Sequence, residues 1–123
     1  MILIDTSVWV DHLRASDATL SGLLEGGRVL GHPFVAGELS LGNLRQRDLI
    51  LTALQELPQA TVASNEEVLH FINREALFGL GIGFVDAHLL TSARLTSHAQ
   101  LWTRDRRLQT VATQLGLAAL MRP

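Results

Sequence analysis

The chain has 123 residues, 47% hydrophobic and 18% charged, with a net charge of −2 at pH 7 and no cysteine. Those values describe a folded chain rather than a disordered one, expected as a single domain over residues 1–123 that buries roughly two-thirds of its unfolded surface. They exclude disulfides, a thiolate metal site and a generally basic nucleic-acid coat. No apolar run approaches the ~20 residues of a membrane span, and no basic and apolar leader follows Met1, so a cytoplasmic protein is expected. All 10 basic residues are arginine. Guanidinium suits bidentate phosphate contacts, although a genome preferring arginine codons gives the same composition.

Met1 to Ile4 is an unbroken apolar run that ends at Asp5-Thr6-Ser7. Such a run predicts a strand buried on both faces, and the three polar residues predict a helix start. A competing local reading extends the strand through Val8-Trp9-Val10, which favour β structure. Asp17 is placed to cap a short helix carrying Leu20, Leu23 and Leu24, which Gly26-Gly27 stops. Arg28 to Gly31 is a short strand candidate. Pro33 fits the first turn of a helix with Phe34, Val35, Leu39 and Leu41 as its apolar residues. Arg45 to Leu57 predicts a helix with Leu49, Ile50, Ala53, Leu54 and Leu57 on one stripe, ended by Pro58. Ala60 to Ala63 is a further strand candidate. Ser64-Asn65-Glu66-Glu67 is a capping-box pattern opening a helix with Leu69, Ile72 and Ala76 inward.

Gly79, Gly81 and Gly83 break regular structure and lack the form of a phosphate-binding loop. A helix then starts near Asp86 and runs through Leu89, Leu90, Ala93 and Leu95. Ala99 to Thr103 is a strand candidate. Asp105 starts the last helix, with Leu108, Val111, Ala112 and Leu115 at helical spacing, and Leu117 to Met121 is an edge-strand candidate. Strands alternating with helices predict an α/β fold: three layers, α/β/α, around a mainly parallel sheet.

Asp5, Asp86 and Asp105 each sit at or near a helix start, where a carboxylate is an ordinary cap worth ~0.3–1 kcal/mol. Asp5 also lies at the carboxyl end of an expected central strand, where open α/β sheets bind ligands. Glu38 has Phe34, Val35, Leu39 and Leu41 as helical neighbours. The pattern therefore places it in an apolar face, where it needs a cation or donor, such as Arg45. If the sheet brings these four acids together, mutual repulsion is ~4 kcal/mol per pair at about 4 Å and an effective dielectric near 20. A divalent cation or shifted pKa values must then relieve it. Oxygen-only donors select Mg²⁺ or Mn²⁺, and such a cluster suits phosphodiester chemistry.

Four segments in order carry a family resemblance. They are Ile4-Asp5-Thr6-Ser7-Val8-Trp9, Glu38-Leu39-Ser40-Leu41-Gly42, Asp86-Ala87-His88-Leu89 and Leu101-Trp102-Thr103-Arg104-Asp105-Arg106-Arg107-Leu108. Over nearly its whole length the chain resembles a PIN-domain ribonuclease of the VapC type, the toxin of bacterial toxin–antitoxin pairs. The resemblance implies helices around a parallel sheet, a homodimer, and a cognate VapB-type antitoxin that inserts into the active site. It also implies Mg²⁺- or Mn²⁺-dependent cleavage of structured RNA, often tRNA or rRNA. Asp5, Glu38, Asp86 and Asp105 become the metal-binding and catalytic set. Thr103 matches a hydroxyl position that holds a water or orients Asp5, and Thr6 and Ser7 are candidates for phosphate contact beside capping. Arg104, Arg106 and Arg107 are candidates for RNA phosphates; a solvated helix start or pairing with Asp105 are their alternatives.

The histidines show no metal spacing, and Trp9 and Trp102 sit in apolar runs that suggest core. A haloacid-dehalogenase-like phosphatase would need a second aspartate where Ser7 stands, and a lysine. A receiver domain would need paired acids at the first strand and a lysine. A non-catalytic module that keeps the fold for partner binding is the alternative of another class.

Overall fold

The structure is a computed structural model that describes residues 1–121. At its centre lies β1 (Ile2–Ile4), whose three residues are all buried. An apolar run this short with no polar alternation can be satisfied only between two neighbours. Those neighbours are β2 (Val29–Leu30) and β3 (Gln100–Trp102), both parallel to β1, in the order β2-β1-β3. The chain leaves β1 for one neighbour and later crosses to the other. The crevice of an open α/β sheet forms where strand order reverses in this way, at the carboxyl ends of the strands.

Seven helices among the described residues surround the sheet. They are α1 (Thr6–Arg14), α2 (Ala18–Glu25), α3 (Pro33–Ser40), α4 (Arg47–Glu56), α5 (Asn65–Arg74), α6 (Phe84–Leu95) and α7 (Arg106–Gln114). Parallel neighbours require such crossover connections, and each helix turns an apolar side to the sheet or to another helix. Leu3, Ile4, Val8, Leu20, Leu89, Leu90, Leu101 and Leu108 are wholly buried and form the centre of the core.

Local signals account for the helix starts. Ser64 Oγ accepts from the Glu67 N–H at 3.1 Å while Glu67 Oε1 accepts from the Ser64 N–H at 2.8 Å, which closes the capping box. Asp17 caps α2 through the Leu20 N–H at 2.9 Å. His32 caps α3 by accepting the Phe34 N–H on Nδ1, at 3.0 Å.

The extended reading through Val8-Trp9-Val10 does not hold. Those residues are helical, with Val8 and Trp9 turned inward. The strand candidates at 60–63 and 117–121 also fail as strands. Each side contributes one parallel bridge, Gly31 with Gln59 and Leu101 with Ala118. After Ala60 the Thr61 N–H goes to Thr96 Oγ1 at 2.9 Å, so a helix end takes the donor a ladder would need. On α4 the buried side is Ile50, Leu51, Leu54 and Leu57; Leu49 and Ala53 face outward. The helix begins at Arg47 rather than Arg45, because Gln46 adopts a left-handed φ of 52°.

Candidate active site

The end of β1 delivers Asp5 to the crevice, and the end of β3 delivers Thr103 and Asp105. Asp5 stands at the N-cap position of α1, but its side chain makes no capping bond. Instead Asp5 Oδ2 accepts two hydroxyls, Ser7 Oγ at 2.7 Å and Thr103 Oγ1 at 2.8 Å. Each hydroxyl in turn accepts a main-chain N–H from the β3–α7 turn. The Arg104 N–H reaches Ser7 at 3.0 Å and the Asp105 N–H reaches Thr103 at 3.0 Å. The capping reading of Asp5 is therefore corrected: a buried carboxylate needs donors, and hydroxyls from two chain segments supply them.

The other three acids are each fixed by one donor. Glu38 Oε1 accepts from Thr6 Oγ1 at 2.7 Å, tying α3 to α1. Asp86 Oδ2 accepts the Gly83 N–H at 3.0 Å, within the first turn of α6. Asp105 Oδ1 caps α7 through the Leu108 N–H at 2.9 Å. Among the described residues, the second oxygen of all four carboxylates has no hydrogen-bonded partner.

Glu38 departs from its expected setting. It is exposed, because Val35 and Leu39 take the buried side of α3, and among the described residues no ion pair joins it to Arg45.

Asp86 reports the electrostatics of the group. Burial, chiefly, and the charges of Asp5, Asp105 and Glu38 raise its carboxyl above the usual range, against the opposing Gly83 N–H. Acids from three other chain segments thus act on the Asp86 carboxyl. They do not close into a cage: among the described residues, no three histidine or acidic side chains gather closely enough to enclose an ion. The donor chemistry nevertheless suits Mg²⁺ or Mn²⁺. All donors are oxygen, and Mg²⁺ keeps several waters while taking one or two carboxylates together with substrate phosphates.

A PIN-domain family model matches residues 2–114. Ribonuclease VapC32 of Mycobacterium tuberculosis, in each of two strains, is 48% identical over 118 residues, spanning 96% of this chain and 95% of that protein. This chain belongs to the PIN-domain family.

Within this PIN domain the three arginines beside Asp105 separate. Arg104 is committed: its guanidinium pairs with Asp11 and Asp17, each at 2.6 Å. It is not paired with Asp105. Arg106 and Arg107 are exposed and form no ion pair among the described residues. Arg107 lies over the glycine turn before α6: a Cβ on Gly81, whose φ is +80°, would come within 2.9 Å of Arg107 Nη1.

The histidines support the scaffold. His32 Nδ1 accepts the Phe34 N–H, so the proton of the neutral ring sits on Nε2, 3.0 Å from Ser92 Oγ. That bond ties α3 to α6, the helices of Glu38 and Asp86. Burial, with a lesser push from His88, lowers the His32 pKa to about 4. His88 is buried against Phe34 and Phe84, with Nε2 at 3.0 Å from Asn65 Oδ1.

Sequence reasoning missed the Ser7 link to Asp5 and the roles of Asp11 and of His32. The Ser7 hydroxyl was visible two residues beyond Asp5, but as a cap or phosphate contact rather than a donor to that carboxylate.

Thr103→Val keeps the side chain's shape and removes the hydroxyl that both holds Asp5 and accepts the Asp105 N–H. We expect a loss of about 1–3 kcal/mol, near 4 °C in Tm per kcal/mol for a domain of this size. Mn²⁺ affinity should fall about 10–100-fold. Thr103→Ser should restore both. Thermal melts and Mn²⁺ titration of the two variants check this.

Proposed function

We propose that this PIN domain is the toxin of a type II toxin–antitoxin pair and an endoribonuclease that hydrolyses RNA phosphodiesters with Mg²⁺ or Mn²⁺. The observation that carries the reading is the gathering of Asp5, Glu38 and Asp105 within charge range of Asp86, each of the four carboxylates having one oxygen free of hydrogen bonds among the described residues. The relative named as a ribonuclease supports the substrate class and, by its VapC name, a VapB-type antitoxin partner. The proposed substrates are tRNA or rRNA.

Asp5, Glu38, Asp86 and Asp105 would hold the ion, directly or through its waters. Bound there, a divalent cation supplies Lewis-acid polarisation of the phosphate and makes water a competent nucleophile near neutral pH. The protein's own part is positional. Ser7 and Thr103 fix Asp5, Thr6 fixes Glu38, and the Gly83 and Leu108 N–H groups fix Asp86 and Asp105. Pre-set carboxylates spare the reorganisation that would otherwise accompany the chemical step. Arg106 and Arg107, exposed and without an ion pair among the described residues, are candidates to neutralise RNA phosphates beside the acids.

Beside Glu38 a groove lined by Val10, Leu13, Arg14, Leu39, Arg45 and Ile50 opens from Thr6. Its apolar lining and two arginines, Arg14 and Arg45, suit the antitoxin segment. A homodimer and a cytoplasmic location complete the proposal. Among the described residues no helix is long and apolar enough to cross a membrane.

The test is incubation of the partner-free protein with total cellular RNA, in Mn²⁺ and in EDTA, with mapping of the cut ends. Discrete cuts in Mn²⁺ that vanish in EDTA are expected. Equal cutting in EDTA would remove the metal from the account. No cutting in either would favour a non-catalytic, partner-binding PIN domain.

A further inference from the structure

The strongest unexplained cluster lies just outside the four acids. Arg104 Nη1 meets Asp11 Oδ2 and Nη2 meets Asp17 Oδ2, both at 2.6 Å. Asp11 belongs to α1, and Asp17 is the N-cap of α2, so one guanidinium joins two helices. The guanidinium carbon also lies 5.5 Å from the Trp102 ring centroid. Hydrogen bonds to Asp11 and then Asp17 raise the Arg104 pKa further, and the Leu20 N–H with Arg104 lowers that of Asp17.

An isolated, exposed ion pair holds little. Here the planar fork spans two carboxylates and rests near an indole face, a geometry that fixes orientation. What it orients is the main chain at residue 104. The Arg104 N–H donates to Ser7 Oγ, and Ser7 Oγ donates to Asp5 Oδ2. A continuous path therefore runs from Asp11 and Asp17 through the Arg104 guanidinium and backbone to Ser7 and Asp5. We propose that Arg104 is a positioning residue that sets the Asp5 carboxylate, and that Asp11 and Asp17 are its anchors rather than idle surface acids.

This rests on the metal-nuclease reading for its consequence but not for its geometry. The rival role, an arginine that releases its acids to grip RNA phosphate, predicts the opposite sign in one variant. Asp11→Asn weakens the hold on Arg104. If Arg104 sets Asp5, Mn²⁺ affinity measured without RNA falls several-fold and kcat falls with it, while KM and its salt dependence stay as in the wild type. If Arg104 is a phosphate ligand, Asp11→Asn frees it, KM drops, and Mn²⁺ affinity does not change.

Arg104→Met keeps a stem to lie against Trp102 and removes the fork. We expect an Mn²⁺ affinity lower by about 10–100-fold, as for residues that orient metal ligands. Arg104→Lys, a point charge unable to span both acids, should fall between Arg104→Met and the wild type. Unchanged Mn²⁺ affinity in Arg104→Met, with a raised KM and a salt slope smaller by about one, would overturn the proposal in favour of phosphate contact.

A metal-free readout separates this proposal from the nuclease reading. Amide hydrogen exchange at residue 104 should quicken at least ~10-fold in the Asp11→Asn/Asp17→Asn double variant, because the N–H loses its fixed approach to Ser7. Asparagine at position 17 keeps the helix cap, so α2 survives the change. Quickened exchange supports the clamp even if the wild type neither binds Mn²⁺ nor cuts RNA, a result that would end only the nuclease reading. Unchanged exchange overturns the clamp whatever the activity.

Discussion

Asp5→Asn is expected to leave the protein folded and to lower RNA cleavage by about 10²–10³-fold or more. The substitution is mild for the fold. The asparagine carbonyl oxygen can take the place of Asp5 Oδ2 and accept from Ser7 and Thr103, at 2.7 and 2.8 Å in the native site. The amide NH₂ then occupies the position of Oδ1, which has no hydrogen-bond partner among the described residues. It offers hydrogens where a hard cation needs an oxygen lone pair. Asp5→Ala is a poorer probe. It strips both hydroxyls of their acceptor and leaves the buried Thr103 hydroxyl without one, at a cost of about 1–3 kcal/mol. Circular dichroism melts beside cleavage assays check the prediction. An Asp5→Asn protein that cuts RNA at the wild-type rate would reassign the chemistry.

Asp86→Asn should act in opposite directions on stability and activity. In the metal-free protein the Asp86 carboxyl is raised by burial and by three neighbouring carboxylates. An acid raised in the folded state binds its proton more tightly there than in the unfolded chain. Its contribution to stability is therefore full below the ordinary carboxylate pKa and is lost as pH rises through the raised one. Asparagine removes the cause of this loss while its amide oxygen still accepts the Gly83 N–H. We expect Asp86→Asn to be more stable at pH 7 by on the order of 1 kcal/mol, about 4 °C in Tm. The gain should vanish near pH 4, and RNA cleavage should be lost at every pH. A variant less stable than the wild type at pH 7 would contradict the crowding of charge around Asp86. For the wild type, Mn²⁺ affinity should fall as pH drops through the raised Asp86 range of the metal-free protein, because protons then compete for a metal-binding carboxylate.

The parts of this site legible in the sequence were those encoded locally. Ile2–Ile4 running into Asp5 is a buried strand delivering a polar residue, and the structure makes it the central strand. The Ser64 capping box, the Asp17 cap and the Asp105 start of α7 depend on residues within three positions of one another. The clamp on Arg104 was not legible, because its partners lie 93 and 87 residues away; Thr103 was named as orienting Asp5 only through the family resemblance, since 98 residues separate the two. Arginine beside an acidic motif reads as a phosphate ligand when its own acids are out of view. Glu38 was misplaced for a related reason. Helical spacing gave it apolar neighbours, but which side of α3 is covered depends on α1 and α4. The strand candidates at 60–63 and 117–121 had suitable composition, but the first has a bridge only at Gln59 just before it and the second only at Ala118. Pairing, not propensity, makes a strand.

Mn²⁺ titration of the RNA-free protein, wild type against Asp5→Asn, Glu38→Gln, Asp86→Asn and Asp105→Asn, probes the shared metal centre most directly. Saturable binding in the wild type, weakened at least ~10-fold by each of the four substitutions, is the predicted result. Binding that is absent from the wild type, or equal in all five proteins, would contradict it.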